Sequence, residues 1–169
     1  MSDTPLILTL TLDEDSQQYF NELRREHFPP ERNYLNAHLT LFHHLPSDRD
    51  QIFSDILLAV KTYQIMQLAV TEIKSIGSGV AFKIESTPLM QLHRYLQQLW
   101  QPWLTPQDKQ TLWPHITIQN KVEPNQAMLL EAQLEQDFKP FTARGLGLSV
   151  HEYQGGPWKF KKSFEFGTN

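Results

Sequence analysis

His38-Leu39-Thr40-Leu41 and His115-Ile116-Thr117-Ile118 are two copies of one short pattern, polar, apolar, polar, apolar. That alternation belongs to a half-buried β-strand. Successive side chains on a strand point to opposite faces, so in each tetrad His and Thr share one face and the aliphatic pair takes the other. With Thr at about one residue in fifteen and apolar residues at about two in five, chance supplies roughly 0.08 copies of His-apolar-Thr-apolar in such a chain. Two copies, each in strand-like surroundings, predict two strands that turn an imidazole and a hydroxyl outward into one site.

Around the tetrads the chain repeats itself. Leu6 to Leu12 carries Leu at every second position and predicts a strand with one buried face. Asp13 to Asp15 cap a helix whose stripe is Tyr19, Phe20, Leu23 and His27, stopped by Pro29-Pro30. After the first tetrad, Ser47 and Asp50 read as a capping box ahead of a helix bearing Ile52, Phe53, Ile56, Leu57 and Val60. Residues 66–76 are strand-like and end at Gly77-Ser78-Gly79. The same order then recurs. Val80 to Glu85 predicts a strand, and Thr87-Pro88 opens a helix with Leu89, Leu92, Leu96, Leu99 and Trp103 on one face. The second tetrad follows, then a helix from Pro124-Asn125 with Ala127, Leu130, Leu134 and Phe138. Two strands close the chain, about 142–151 and 158–166, joined by a turn containing Gly155-Gly156-Pro157.

Strand, helix, His-x-Thr strand, helix, strand therefore occurs twice, with the histidines about 77 residues apart. The predicted fold class is α+β. It is two-lobed and pseudo-two-fold, with mainly antiparallel sheets lining a central cleft and helices on the outer faces. No linker or low-complexity tract divides it, so residues 1–169 are expected to form a single domain.

Bulk properties narrow the function classes. A chain of 169 residues, 40% hydrophobic and 20% charged, is ordinary for a globular protein with a sizeable core. There is no cysteine, which excludes disulfide scaffolds, thiol nucleophiles and cysteine-ligated zinc. The N-terminus has no basic segment before an apolar run, and no apolar run is long enough to span a membrane. A cytoplasmic location, no membrane partner and a monomer are expected. The net charge of −4 argues against holding a long duplex by its backbone.

Two facing His/Thr pairs suit acid–base chemistry. Imidazole titrates near neutrality, so one ring can take a proton from an attacking oxygen while the other gives one to a leaving oxygen. Threonine hydroxyls two residues on are spaced to donate to an oxygen between the strands. No metal or other cofactor is needed. The pattern also lacks the His-Glu-x-x-His spacing of zinc enzymes, Gly-x-Ser-x-Gly and a P-loop. Gly145-Leu146-Gly147 reads as a strand irregularity.

On His38-Leu39-Thr40-Leu41 and Pro114-His115-Ile116-Thr117-Ile118, the chain resembles the 2H phosphoesterase superfamily, which includes RNA 2′,3′-cyclic phosphodiesterases and 2′-5′ RNA ligase-like proteins. The resemblance implies tetrads on central strands lining a cleft, lobes exchanged by strand crossover, and His38, Thr40, His115 and Thr117 as the catalytic set. It implies hydrolysis of a 2′,3′-cyclic phosphate on an RNA end or a small cyclic nucleotide. By analogy His115 is the base, His38 the acid and a 2′-phosphate the product. Alternatives are 2′-5′ ligation, the reverse chemistry, and a nucleotide- or RNA-end-binding module with little turnover.

Four further residues are candidates for substrate contact. Phe42 falls on the face of His38 and Thr40, where a base can stack on it. His44 shares that face if the strand stays regular, with His43 pointing away. Tyr153 and Trp158 flank the Gly155-Gly156-Pro157 turn and are expected at the cleft mouth. His93, beside Leu89, Leu92 and Leu96, reads as helix packing.

Overall fold

The computed structural model describes residues 4–167. The alternating leucines form β1 (Leu6–Leu12), and Asp13 then starts α1 (Glu14–His27). One Asp13 oxygen accepts from the Ser16 N–H at 3.1 Å and the other from the Arg144 N–H at 2.8 Å. The cap thus pins the helix start to a distant strand as well as satisfying a helix N–H. The first half continues with β2 (Leu39–Leu45), α2 (Asp50–Thr62) and β3 (Met66–Ser75). The second half runs β4 (Val80–Glu85), α3 (Thr87–Trp100), β5 (His115–Gln119), α4 (Pro124–Asp137), β6 (Phe141–Tyr153) and β7 (Trp158–Glu165).

All seven strands join one sheet, paired antiparallel in the order β2-β1-β6-β3-β4-β5, with β7 added to β6. Matching β1–β3 to β4–β6 gives the same order from either end. The third strand of each half has crossed into the other half's run, and the two meet where Met66–Val70 pairs with Phe141–Gly145. The sheet is curled, because its two end strands, β2 and β5, touch. Those are the strands of the two tetrads. Helices flank the curl: α1 lies against β5, α4 against β3 and β4, and α2 against β6 and β7.

Leu6, Leu8, Leu10 and Leu12 face the helices and are at most 4% exposed. Ile7 and Thr9, on the opposite face, are also buried, because that face looks into the curl. Some local expectations change. Helix α2 begins after Arg49, whose own side chain makes no cap bond, and Ser86, not Thr87, caps α3. Leu57 and Leu99 are 46% and 36% exposed, at the edges of stripes whose centres are buried. The pairing of Thr11 with Gly147 and of Leu12 with Gly145 leaves Leu146 unmatched, the irregularity expected at Gly145-Leu146-Gly147.

The largest correction concerns Phe42. Thr40 pairs with Thr9, Phe42 with Leu8 and Leu45 with Leu6, so β2 carries an extra residue on each side of Phe42. Each bulge reverses the side-chain parity that the sequence reading assumed. Phe42 therefore leaves the face of Thr40, is 0% exposed, stacks on His93 with centroids 4.6 Å apart, and meets Trp100 edge-on at 5.0 Å. It is core, not a base platform. Phe42→Ala is expected to cost about 3–5 kcal/mol, the range for emptying a buried aromatic site. Urea denaturation checks this; an unchanged midpoint would return Phe42 to the cleft.

Candidate active site

His38 stands just before β2, and His115 opens β5. One device holds both rings. Nδ1 lies 2.8 Å from the Asn36 carbonyl in His38 and 2.7 Å from the Trp113 carbonyl in His115. A carbonyl only accepts, so Nδ1 carries the hydrogen and Nε2 is left with its lone pair. An indole backs each ring: Trp158 lies 4.5 Å from His38 and Trp113 lies 4.3 Å from His115, centroid to centroid. Thr40 and Thr117 follow two residues on, half-buried like the histidines.

The two imidazoles are electrostatic neighbours. Burial is the largest cause that pushes His38 down to about 4; the Asn36 carbonyl opposes it, and positive charge on Arg24, His151 and His115 adds to it. His115 is lowered too, by burial first, against the Trp113 carbonyl, with His43 contributing. Both rings are therefore neutral at pH 7 in the free protein. An anion between them opposes both effects and draws a proton in.

Three groups that sequence reasoning missed hold this arrangement. Arg24 of α1 is 5% exposed. Its Nη1 donates to the Thr117 carbonyl at 3.0 Å, its Nε to Asn33 Oδ1 at 2.9 Å, and its guanidinium sits 4.0 Å from the Phe28 ring centroid. Asp108, 3% exposed, lies in the segment that leads into the second tetrad. Its carboxylate accepts from the His43 N–H at 2.9 and 3.0 Å, the His44 N–H at 2.9 Å and His43 Nδ1 at 3.1 Å. Burial raises the Asp108 pKa, but the His43 imidazole and the two amides outweigh it and hold the carboxyl below its ordinary value. His151 reaches Thr9 Oγ1 at 3.3 Å and packs on Trp158 at 5.4 Å. A Trp beside the second tetrad and the outward threonines of β1 were visible signals. Arg24 and Asp108 had none, since both find their partners across the fold.

The β2 bulges bring His43 into electrostatic reach of His115 and leave His44 exposed, engaged through its backbone N–H. Trp158 is at His38. Tyr153 is 43% exposed at the neighbouring turn and does not line the cavity beside His38. That cavity, about 550 Å³, is bounded by His38, His151, Trp158, Tyr34 and the hydroxyls of Thr9, Thr11 and Ser149. A second, about 600 Å³, is lined by Lys83, Glu85 and Arg94 and reaches Pro114 but no tetrad side chain. Among the described residues, no group of three or more His, Cys, Asp or Glu side chains is disposed to hold a metal ion. No helix among them is long and apolar enough to cross a membrane.

A curled antiparallel sheet with two His-x-Thr strands meeting at its ends is the arrangement expected of a 2H phosphoesterase. The sequence profile of the 2′-5′ RNA ligase superfamily matches residues 12–157, and the chain belongs to that family. It is accordingly an enzyme of the phosphodiester-hydrolase type. No curated protein sequence matches it. Among solved structures, a protein described as a phosphoesterase aligns with TM-score 0.63 at 16% identity, covering 98% of this chain and 99% of its own. E. coli LigT complexed with 3′-AMP aligns with TM-score 0.62 at 17% identity, over 98% and 99% of the two chains. TT0787 of Thermus thermophilus aligns with TM-score 0.56 at 14% identity, over 96% and 97%. At these identities the likeness is one of fold.

NMR titration of the histidine ring protons should give His38 a midpoint near 4 and His115 one below its ordinary 6.5. Between pH 6.5 and 4 the unfolded chain then binds a proton at His38 that the folded chain does not, so this group lowers stability as pH falls through that window. A His38 midpoint at 6.5 would contradict the burial described. Asp108→Ala, which strands two amides, should cost about 2–4 kcal/mol in the same denaturation experiment; no change would show that water replaces the carboxylate.

Proposed function

We propose that the chain hydrolyses 2′,3′-cyclic phosphates, on RNA ends or small nucleotides, by metal-independent acid–base catalysis with His38, Thr40, His115 and Thr117. The observation that carries this reading is the matched anchoring of two neighbouring imidazoles, each with Nδ1 committed to a carbonyl and Nε2 left for chemistry. In the proposed step His115 Nε2 takes a proton from water as the water oxygen bonds to phosphorus. The bond from phosphorus to a ribose oxygen breaks, and that oxygen takes a proton from His38 Nε2. The product is a phosphate monoester, with the phosphate proposed on the 2′ oxygen. Thr40 and Thr117 donate to the non-bridging oxygens, where negative charge gathers.

Because the free rings are neutral at pH 7, the acid's proton enters with the anionic substrate. The rate constant kcat/KM is therefore expected to peak on the acidic side of neutrality and to fall as pH rises, since fewer free molecules then hold the required proton. The same reading takes the chain as one two-lobed domain with a pseudo-two-fold axis between β3 and β6, supported by the reversible strand order. The same reading takes it as a cytoplasmic monomer.

The test is turnover of 2′,3′-cyclic nucleotides in chelator, with His38→Ala and His115→Ala each losing ~10²-fold or more, the scale of general acid–base catalysis. Unchanged rates in both variants would sink the mechanism. Saturable binding without turnover would favour an end-binding module, and joining of 2′-5′ ends without hydrolysis would favour a ligase.

A further inference from the structure

We propose that His43, clamped by Asp108, is a positioning residue for His115: it keeps a proton beside that ring and so makes His115 the member of the pair that accepts one. This rests on the function proposed above and supplies the direction that two alike tetrads lack. His43 is anchored as the tetrad histidines are, but on a carboxylate. His38 and His115 each commit Nδ1 to a carbonyl, whereas His43 Nδ1 lies 3.1 Å from Asp108 Oδ1. The His43 side chain is 46% exposed and that of Asp108 1%, so a buried carboxylate stands behind a ring that reaches solvent. Asp108 is fixed in turn: its own carbonyl accepts from Gln97 Nε2 at 2.9 Å, and its carboxylate also takes the His43 and His44 amides. A proton on His43 neutralises that buried charge.

The ring has no counterpart in the other half. Counted from the tetrads, the residue that matches His43 is Asn120. Strand β2 carries an extra residue between Phe42 and Leu45, opposite the run from Leu8 to Leu6, and such a bulge re-aims the side chains in it. β2 also meets β5 where the curl closes. The charged and titratable groups that interact with His43 are Asp108, His93 of α3 and His115 of β5. Burial is the first cause that lowers His115, and positive charge on His43 adds to it. Around His38 the added charges are Arg24, His151 and His115, and His43 is not among them. A proton kept at His43 therefore opposes a second one at His115 and leaves His115 Nε2 free to accept from water.

The experiment follows the histidine ring protons by NMR in the intact protein, His43→Gln and His43→Lys, and measures kcat/KM for a 2′,3′-cyclic nucleotide against pH in all of them. His43→Gln removes the charge and keeps the backbone amides that Asp108 holds. It should raise the His115 midpoint by roughly 0.3–1 pH unit, the scale of one charge acting through mostly aqueous surroundings, and leave His38 at about 4. At a pH between the two midpoints kcat/KM should fall about 2- to 10-fold, that shift expressed as a population. Fewer molecules then hold a proton on His38 with His115 free. His43→Lys, which restores a cation beside Asp108, should return both readouts toward those of the intact protein. An unmoved His115 midpoint in His43→Gln, or the same midpoint in His43→Gln and His43→Lys, would overturn the role of His43 while turnover leaves the phosphoesterase reading standing. A raised His115 midpoint in a protein that hydrolyses no cyclic nucleotide would support the His43–His115 interaction and defeat the phosphoesterase reading.

Discussion

Each tetrad strand is held by a helix from the other half of the chain. Arg24 of α1 donates to the Thr117 carbonyl in β5, and His93 of α3 donates from Nε2 to the Leu41 carbonyl in β2 at 3.1 Å. This cross-bracing is what the remaining structure depends on. Neither half can present its His and Thr correctly while the halves are apart, because the brace comes from across the sheet. The exchanged strands β3 and β6 impose the same condition on the backbone. Fold and site therefore form together.

The brace at Arg24 has an electrostatic consequence. No carboxylate within salt-bridge distance pairs with it among the described residues, and burial lowers its pKa to about 10, which leaves it charged at neutral pH. A carbonyl, an amide oxygen and the Phe28 face stand in for a counter-ion. Its charge is among the causes that keep His38 unprotonated. A fixed cation, two neutral imidazoles and two hydroxyls form a site biased toward an anion, although the chain carries a net charge of −4. The bulk charge argued against a long nucleic-acid surface but said nothing about this local balance.

What was legible in the sequence follows the range of the forces involved. Alternation and helical stripes are local, so the element order, the tetrads and the helix packing of His93 were all readable from residue spacing. The extra residues in β2 were not. A bulge leaves the hydrophobic pattern almost unchanged, since Leu41 and Phe42 are apolar whichever way they point, yet it decides that Phe42 enters the core and that His43 nears His115. Arg24 and Asp108 were invisible for another reason. A charged residue on an amphipathic helix or in a loop looks like surface until its long-range partners are known, here 93 and 65 residues away.

The repeat also separates two requirements of the proposed reaction. Moving one proton from the nucleophile and another to the leaving group calls for two groups of the same kind, and the two halves supply them in matched form, down to the carbonyl at Nδ1 and the indole against each ring. Such a pair has no inherent direction. Direction has to come from where the halves differ, and they differ beside the rings: an uncharged, aromatic-rimmed cavity adjoins His38, and Asp108-held His43 lies near His115. On the proposed reading, the matched positions carry the chemistry common to both halves, and the unmatched ones decide which way a substrate can lie.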